Sequence, residues 1–313
     1  MAVPFDTDFS VEHGRVEQVS PLIRRIVAPN PGRFTFTGTG TYIVGRGEVA
    51  VIDPGPLIDD HVNALEAALE GERVTHILIT HTHGDHSPAA APLRARTGAP
   101  THGFGPHPEA DRRRDEPGEP GEEGAPPQEE RSDLDFVPDV VMVDGDVVTG
   151  PGWTLEALYT PGHISNHLCF ALPEEKVLFT GDHVMGWSTT VLPSPDGNLG
   201  DYLANLRRLL DRDDEIYWPT HGPPIRDPKR FVAALIDHRE GRTRQILERL
   251  DAGDETIEEI VAVLYAEVDE KLHPAASRSV LAHLVHLVET GEVSADDGPL
   301  GLDRRWRREG QDR

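Results

Sequence analysis

The run His81-Thr82-His83-Gly84-Asp85-His86 constrains this chain more than any other feature, because it places four metal-binding side chains within six residues. Imidazole nitrogen and carboxylate oxygen are donors that zinc takes readily. Before the run, Val74 to Thr80 reads as a buried strand; after it, Ser87-Pro88 reads as the start of a helix through Leu93. Alternate residues at an extended strand end face the same way, so His81 and His83 point at one ion. Asp85 and His86 follow in the turn and point elsewhere, toward a second ion. Gly84 permits the tight backbone that such a turn needs. The predicted position, between a strand end and a helix start, is where α/β proteins place their ligands.

Two ions need more donors. Three later residues qualify, each in a predicted post-strand loop beside glycine: His163 in Thr160-Pro161-Gly162-His163, Asp182 in Thr180-Gly181-Asp182-His183, and His221 in Thr220-His221-Gly222-Pro223. Asp53, at the end of a predicted strand, is expected to hydrogen-bond a ligand histidine from behind. His167 and His183 fall near the same loops. Cys169, in Leu168-Cys169-Phe170, reads as a core residue.

The remaining pattern predicts a mixed α/β chain. Residues 33–53 read as two strands, with Phe34, Phe36 and Tyr42-Ile43-Val44 in the first and Glu48 to Ile52 in the second, around a Gly45-Arg46-Gly47 turn. Residues 58–70 have helical spacing. From Val140 to Tyr159 the pattern predicts antiparallel strands with turns, and Leu168–Leu172 with Lys176–Thr180 a further strand pair. A helix over Tyr202–Leu210 and a short strand over Ile216–Pro219 follow. Residues 109–135 contain eleven acidic residues, four Arg, four Pro and three Gly, a composition that predicts a mobile acidic insertion or lid. Beyond about Pro228 the periodicity is helical over Phe231–Leu250, Thr256–Tyr265 and Ala275–Glu289, with at most a short hairpin after Glu292. The expected division is therefore a catalytic unit over 1–225 and a smaller unit over 226–313.

The order His81-X-His83-X-Asp85-His86, His163, Asp182, His221 resembles the complete ligand set of the metallo-β-lactamase superfamily over roughly residues 20–225. That resemblance implies a four-layer αββα sandwich with metal at one edge of its two sheets. It also implies that His81, His83 and His163 hold a first ion, that Asp85, His86 and His221 hold a second, and that Asp182 bridges them. Phe36-Thr37-Gly38-Thr39-Gly40-Thr41-Tyr42, Gly181-Asp182-His183-Val184-Met185-Gly186-Trp187 and the helical tail are similar to the β-lactamase-like protein 2 group. Members of that group carry a winged-helix-like C-terminal domain, and the group includes a single-strand endoribonuclease. Gly40 departs from the group, which usually has Asn there.

The implied chemistry is hydrolysis by a hydroxide shared between two zinc ions, with iron or manganese also compatible with the donors. Asp85 is the expected catalytic residue, ligating and also orienting the nucleophile or accepting its proton. The formal net charge of −25 disfavours nucleic acid and anionic membranes. Residues 254–313 alone hold fourteen acidic and seven basic groups, and the Arg304, Arg305, Arg307 and Arg308 cluster around Trp306 reads as a terminal, disordered stretch. A small ester or thioester is thus the expected substrate, with single-strand RNA as the alternative and no role for DNA. A non-hydrolytic metal-binding or interaction module is the alternative of another class. The tail reads as a lid or dimer contact, which leaves a homodimer open. The single cysteine, the acidic first twenty residues and the lack of a membrane-length apolar run set a soluble cytoplasmic protein as the expectation.

Overall fold

Period-two alternation along the strands sends one set of side chains between two sheets and the other set outward under helices. In a computed structural model describing residues 2–107 and 132–310, the first sheet has seven strands in chain order. They are β1 (Glu17–Gln18), β2 (Ile23–Val27), β3 (Gly40–Arg46), β4 (Glu48–Ile52), β5 (Arg73–Leu78), β6 (Thr101–Gly103) and β7 (Val140–Val141). The second sheet has β8 (Val147–Gly150), β9 (Trp153–Tyr159), β10 (Leu168–Leu172), β11 (Val177–Gly181) and β12 (Ile216–Pro219), in spatial order β12-β11-β10-β9-β8. Pairing is antiparallel from β1 to β4 and from β8 to β11; it is parallel from β4 to β7 and between β11 and β12.

Parallel neighbours need crossovers, and helices supply three of them. The helix α1 (Asp59–Ala68) joins β4 to β5, α2 (Ala90–Thr97) joins β5 to β6, and α3 (Leu199–Leu210) joins β11 to β12. Tyr42, Val44, Ala50 and Ile52 from the first sheet meet Leu155, Leu168, Phe170, Val177 and Phe179 from the second in a core between the sheets. Ile43, Val49, Val51 and Ile77 face the other way and pack on Leu65 of α1 and Leu93 of α2. Cys169, Ala171, Leu178 and Tyr217 likewise pack on Leu199, Tyr202, Leu206 and Leu209 of α3. The four-layer αββα sandwich expected from the resemblance is present.

The next helix, α4 (Pro228–Asp251), contributes Phe231, Val232 and Leu235 to the core outside the second sheet. Its later residues Ile246 and Leu250 belong to a separate core with α5 (Ile257–Leu264), α6 (His273–Glu289) and the antiparallel pair β13 (Val293–Ala295) and β14 (Trp306–Arg308). A capping box at Thr256 and Glu259 fixes the start of α5.

Several sequence expectations change. The strand β7 is not part of an antiparallel meander: it pairs parallel with β6 at the edge of the first sheet, brought there by the long connection from Gly103. Phe34 and Phe36 lie outside β3; Phe36 adopts a positive φ of 54° and stacks on Trp187 with ring centroids 4.8 Å apart. The strand β2 was not expected, because Arg24 and Arg25 interrupt its apolar pattern; both arginines are buried and pair with Glu72 and Glu17. The acidic insertion falls mainly on residues 108–131, which lie outside the described residues. The Arg304–Arg308 stretch is ordered: Trp306 is fully buried, Arg305 pairs with Glu255, and Arg308 pairs with Glu292 and Asp251. Among the described residues no helix is long and apolar enough to cross a membrane.

Trp306→Ala is expected to destabilise the protein by about 3–5 kcal/mol, the usual cost of deleting a buried aromatic ring. Urea unfolding followed by circular dichroism measures it; an unchanged midpoint would mean that the tail is not packed as described.

Candidate metal centre

Every residue flagged in the sequence as a metal donor sits at one end of the sandwich, where β5, β9, β11 and β12 finish. His81, His83, Asp85 and His86 follow β5; His163 follows β9; Asp182 follows β11 directly; His221 follows β12. All seven are buried. The β11–β12 register shifts between Phe179 and Gly181, and such an irregularity re-aims the side chains that follow it. Gly162 has a φ of 143°, and a Cβ there would lie 2.5 Å from the Tyr202 Cα, so only glycine lets the loop bring His163 this close to α3.

The donor atoms converge in two groups. His81 Nε2 lies 2.9 Å and His163 Nε2 3.0 Å from His83 Nδ1. His221 Nε2 lies 3.1 Å from Asp85 Oδ2, and His86 Nε2 lies 3.5 Å from Asp85 Oδ1. Asp182 stands between the groups: its Oδ1 is 3.4 Å from His221 Nε2 and 3.7 Å from His86 Nε2, whereas its Oδ2 is 3.8 Å from His163 Nε2.

A second layer fixes which nitrogen faces inward. His163 Nδ1 donates to the Val191 carbonyl at 2.6 Å, and His221 Nδ1 to the Gly38 carbonyl at 3.3 Å, which turns each Nε2 toward the cluster. His86 Nδ1 donates to Asp53 Oδ2 at 2.9 Å, as the sequence led us to expect. Asp53 also accepts from Thr80 N at 2.8 Å, Thr80 Oγ1 at 2.7 Å and Thr220 Oγ1 at 3.1 Å. Its own φ is +47°, a conformation unusual for any residue but glycine and concentrated at functional sites. Thr39 Oγ1 donates to Asp85 Oδ2 at 3.1 Å and is itself held by Asn30.

His167 and His183 are not donors to the cluster. His167 Nδ1 contacts Thr160 Oγ1 at 2.9 Å and its Nε2 accepts from Asp182 N at 3.2 Å, so it positions the backbone of Asp182. His183 is buried against Tyr202, and burial pushes its pKa down to about 3. Thr39, Thr80 and Thr220 were not expected at the site. Thr precedes His at 80–81 and 220–221, but also at 75–76, 82–83 and 101–102, and Thr39 precedes Gly40, so the dipeptide marks only part of this layer.

The donor set fits divalent metal. His86 Nε2 and Asp182 Oδ1 are buried, aimed into the cluster and without a hydrogen-bonding partner among the described residues. Burial drives His81 and His83 well below the ordinary histidine range and lowers His163, so all three are neutral, the form that ligates. Burial also opposes charge on His86 and His221, but nearby carboxylates outweigh it and raise both: Asp85, Asp182 and Asp53 around His86, Asp182 and Asp85 around His221. Burial alone would raise Asp182; His221 and His86 instead hold it far down. The negative charge needed to bind a cation is thus present, balanced by protons that a cation would replace.

Residues 35–221 match the Metallo-beta-lactamase superfamily, and residues 256–306 match the Beta-lactamase associated winged helix domain. The chain is 31% identical to the Lactamase-like protein adaB of Aspergillus niger, over 93% of this chain and 87% of that one. It is also 31% identical to an Atrochrysone carboxyl ACP thioesterase of Claviceps purpurea, over 86% of this chain and 81% of that one. A crystal structure of a metallo-beta-lactamase family protein from Thermus thermophilus superposes with a TM-score of 0.72 at 28% identity, covering 93% of this chain and all of the other.

Two outcomes are expected. Asp53→Asn should weaken divalent-cation affinity about 10- to 100-fold, the usual cost of losing a partner behind a ligand, as measured by competition with a chromogenic chelator. Because neighbouring carboxylates raise the proton affinity of His86 and His221, protons compete with a cation for these nitrogens, so cation binding should release protons and weaken as the pH falls. Calorimetry in two buffers of different ionisation enthalpy reads this directly; a heat independent of buffer would exclude it.

Proposed function

This chain belongs to the metallo-β-lactamase superfamily, and on that premise we propose that it is a thioesterase working through a pair of divalent ions, zinc for preference. The coarser statement, a hydrolase of metallo-β-lactamase fold with a His/Asp metal-binding cluster and a winged helix, rests on the family match and the clustered donors. The observation that carries the substrate class is the 31% identity, over 86% of the chain, to a protein named as an acyl-carrier thioesterase. In this reading His81, His83 and His163 hold one ion and Asp85, His86 and His221 the other. Asp182 spans them, a role supported by its two oxygens facing different histidines.

Bound divalent ions supply Lewis acidity toward a carbonyl oxygen and make water acidic near neutral pH. The chain's own groups then have distinct tasks. Thr39 Oγ1 holds Asp85 Oδ2, so the carboxylate is fixed where it can orient the attacking water and accept its proton. Water oxygen bonds to the thioester carbonyl carbon, the carbon–sulfur bond breaks, and the sulfur leaves as a thiol once it has regained a proton. The products are a carboxylic acid and a free thiol. Cys169 takes no part as nucleophile: it is fully buried in the core, and burial pushes its thiol up to about 12.

An RNA substrate has less support. The one basic cluster of the tail is engaged with acids, through Arg305 on Glu255 and Arg308 on Glu292 and Asp251.

The purified protein should carry two metal ions per chain by mass spectrometry and hydrolyse an acyl thioester. Asp85→Ala should lower kcat about 10²- to 10⁴-fold. Fewer than one ion per chain, or RNA cleavage abolished by Asp85→Ala with no thioester turnover, would sink this reading.

A further inference from the structure

A cavity of about 210 Å³ opens where the winged-helix part meets the sandwich. One wall is the loop Trp187 to Leu192; another is α6, through Arg278 and Ala282; Arg33 and Phe34 close a third side, and Arg239 of α4 lies within. The loop is tied to the metal cluster. Val191 carries the carbonyl that receives His163 Nδ1, and Thr190 Oγ1 donates to the carbonyls of Asp182 at 2.7 Å and His183 at 3.0 Å. Trp187 is stacked on Phe36 and abuts Gly222, next to His221. The cavity therefore adjoins the reaction centre without containing any of its donors.

Its charge is opposite to that of the protein. The chain carries 55 acidic against 30 basic residues, yet the lining holds three arginines and neither aspartate nor glutamate. Arg239 is 3% exposed. One Nη donates to the Thr190 carbonyl, while its Nε is buried without a hydrogen-bonding partner among the described residues. Its electrostatic neighbours are Tyr202, Tyr265 and Arg242, none of them an anion at neutral pH. A buried guanidinium normally faces a carboxylate or phosphate, because an unmatched charge in low dielectric is costly. The remaining lining has an apolar side, with Phe34, Met185 and Trp187, and the hydroxyls of Ser188, Thr189, Thr190 and Ser279.

We propose that this cavity recognises an oxyanion carried by the substrate, with Arg239 as the buried anchor and Arg33 and Arg278 at the mouth. The proposal rests on the thioesterase reading for the identity of the substrate. A thioester offers the same chemistry from two sources, a carboxylate on the acyl group or a phosphate on a pantetheine-type thiol arm. The apolar wall receives the chain between the oxyanion and the thioester.

The test compares matched substrates in the metal-loaded protein, in the anchor variant Arg239→Gln and in the double variant Arg33→Ala/Arg278→Ala. One pair is an S-acyl pantetheine against its 4′-phosphate; the other is a carboxyacyl thioester against its methyl ester. The wild type should favour the charged member of one pair about ten- to a hundredfold in kcat/KM, the range of a charged hydrogen bond. The double variant should reduce that preference, and Arg239→Gln should abolish it. Which pair shows it identifies the source. Equal turnover of both members of both pairs, or a preference that the double variant leaves undiminished, would overturn the proposal. Calorimetry with the non-cleavable thioether analogues of the same four compounds separates this from the reaction. Charge-dependent binding weakened in the double variant, without thioester cleavage, would leave the anion site standing and reject the thioesterase reading. Cleavage without charge preference would do the reverse.

Discussion

The carboxylate of Asp53 is the tie on which the metal end depends. It is buried, and it collects hydrogen bonds from beyond the ends of two strands, β5 through Thr80 and β12 through Thr220, while itself following β4. A buried carboxylate is tolerated only with its lone pairs filled, and here the filling joins the two sheets of the sandwich. One of its bonds goes to His86 Nδ1, so the same group that closes the fold fixes a donor nitrogen in the cluster. His163 and His221 repeat the device with backbone carbonyls. The cluster is held in place because its outer layer is woven from strand ends.

This explains why the cluster was legible in the sequence. Donors at strand ends are separated by whole structural units, so their order survives large differences in the loops between them. His81 to His86 lie within one turn, and their spacing carries the geometry. His163, Asp182 and His221 were readable only as members of an ordered set, since each follows a strand whose partner cannot be inferred locally. The threonines were missed because a hydroxyl behind a ligand has no spacing rule of its own, and a Thr-His dipeptide also occurs away from the cluster, at 75–76 and 101–102.

The fold was less evenly legible. Strands such as the alternating β9 and the continuously apolar β10 announce themselves, and the apolar residues of each face two different cores. The strand β2 hides because Arg24 and Arg25 occupy buried positions, made acceptable by Glu72 and Glu17 from other segments. A two-residue strand such as β7 has no period at all, and its parallel pairing is set by the chain that delivers it. The arginine-rich end misled for a related reason. Composition reports charge but not partners, and Glu255, Glu292 and Asp251 turn an apparent basic tail into the edge of a small packed module around Trp306.

The helix α4 has a mechanical meaning. Its 24 residues run unbroken from the sandwich core at Phe231 to the winged-helix core at Leu250. Two modules joined by a linker can swivel; two modules sharing a strut cannot move apart unless the strut bends. The cavity beside the metal centre, with walls drawn from both modules, is therefore held to its width by this helix together with Ala282 of α6, which packs into the sandwich core. Gly241 falls between Leu235 and Ile246, where the strut passes from one core to the other. Glycine is the weakest residue a helix interior can carry short of proline, and it makes that point the natural place for the strut to yield.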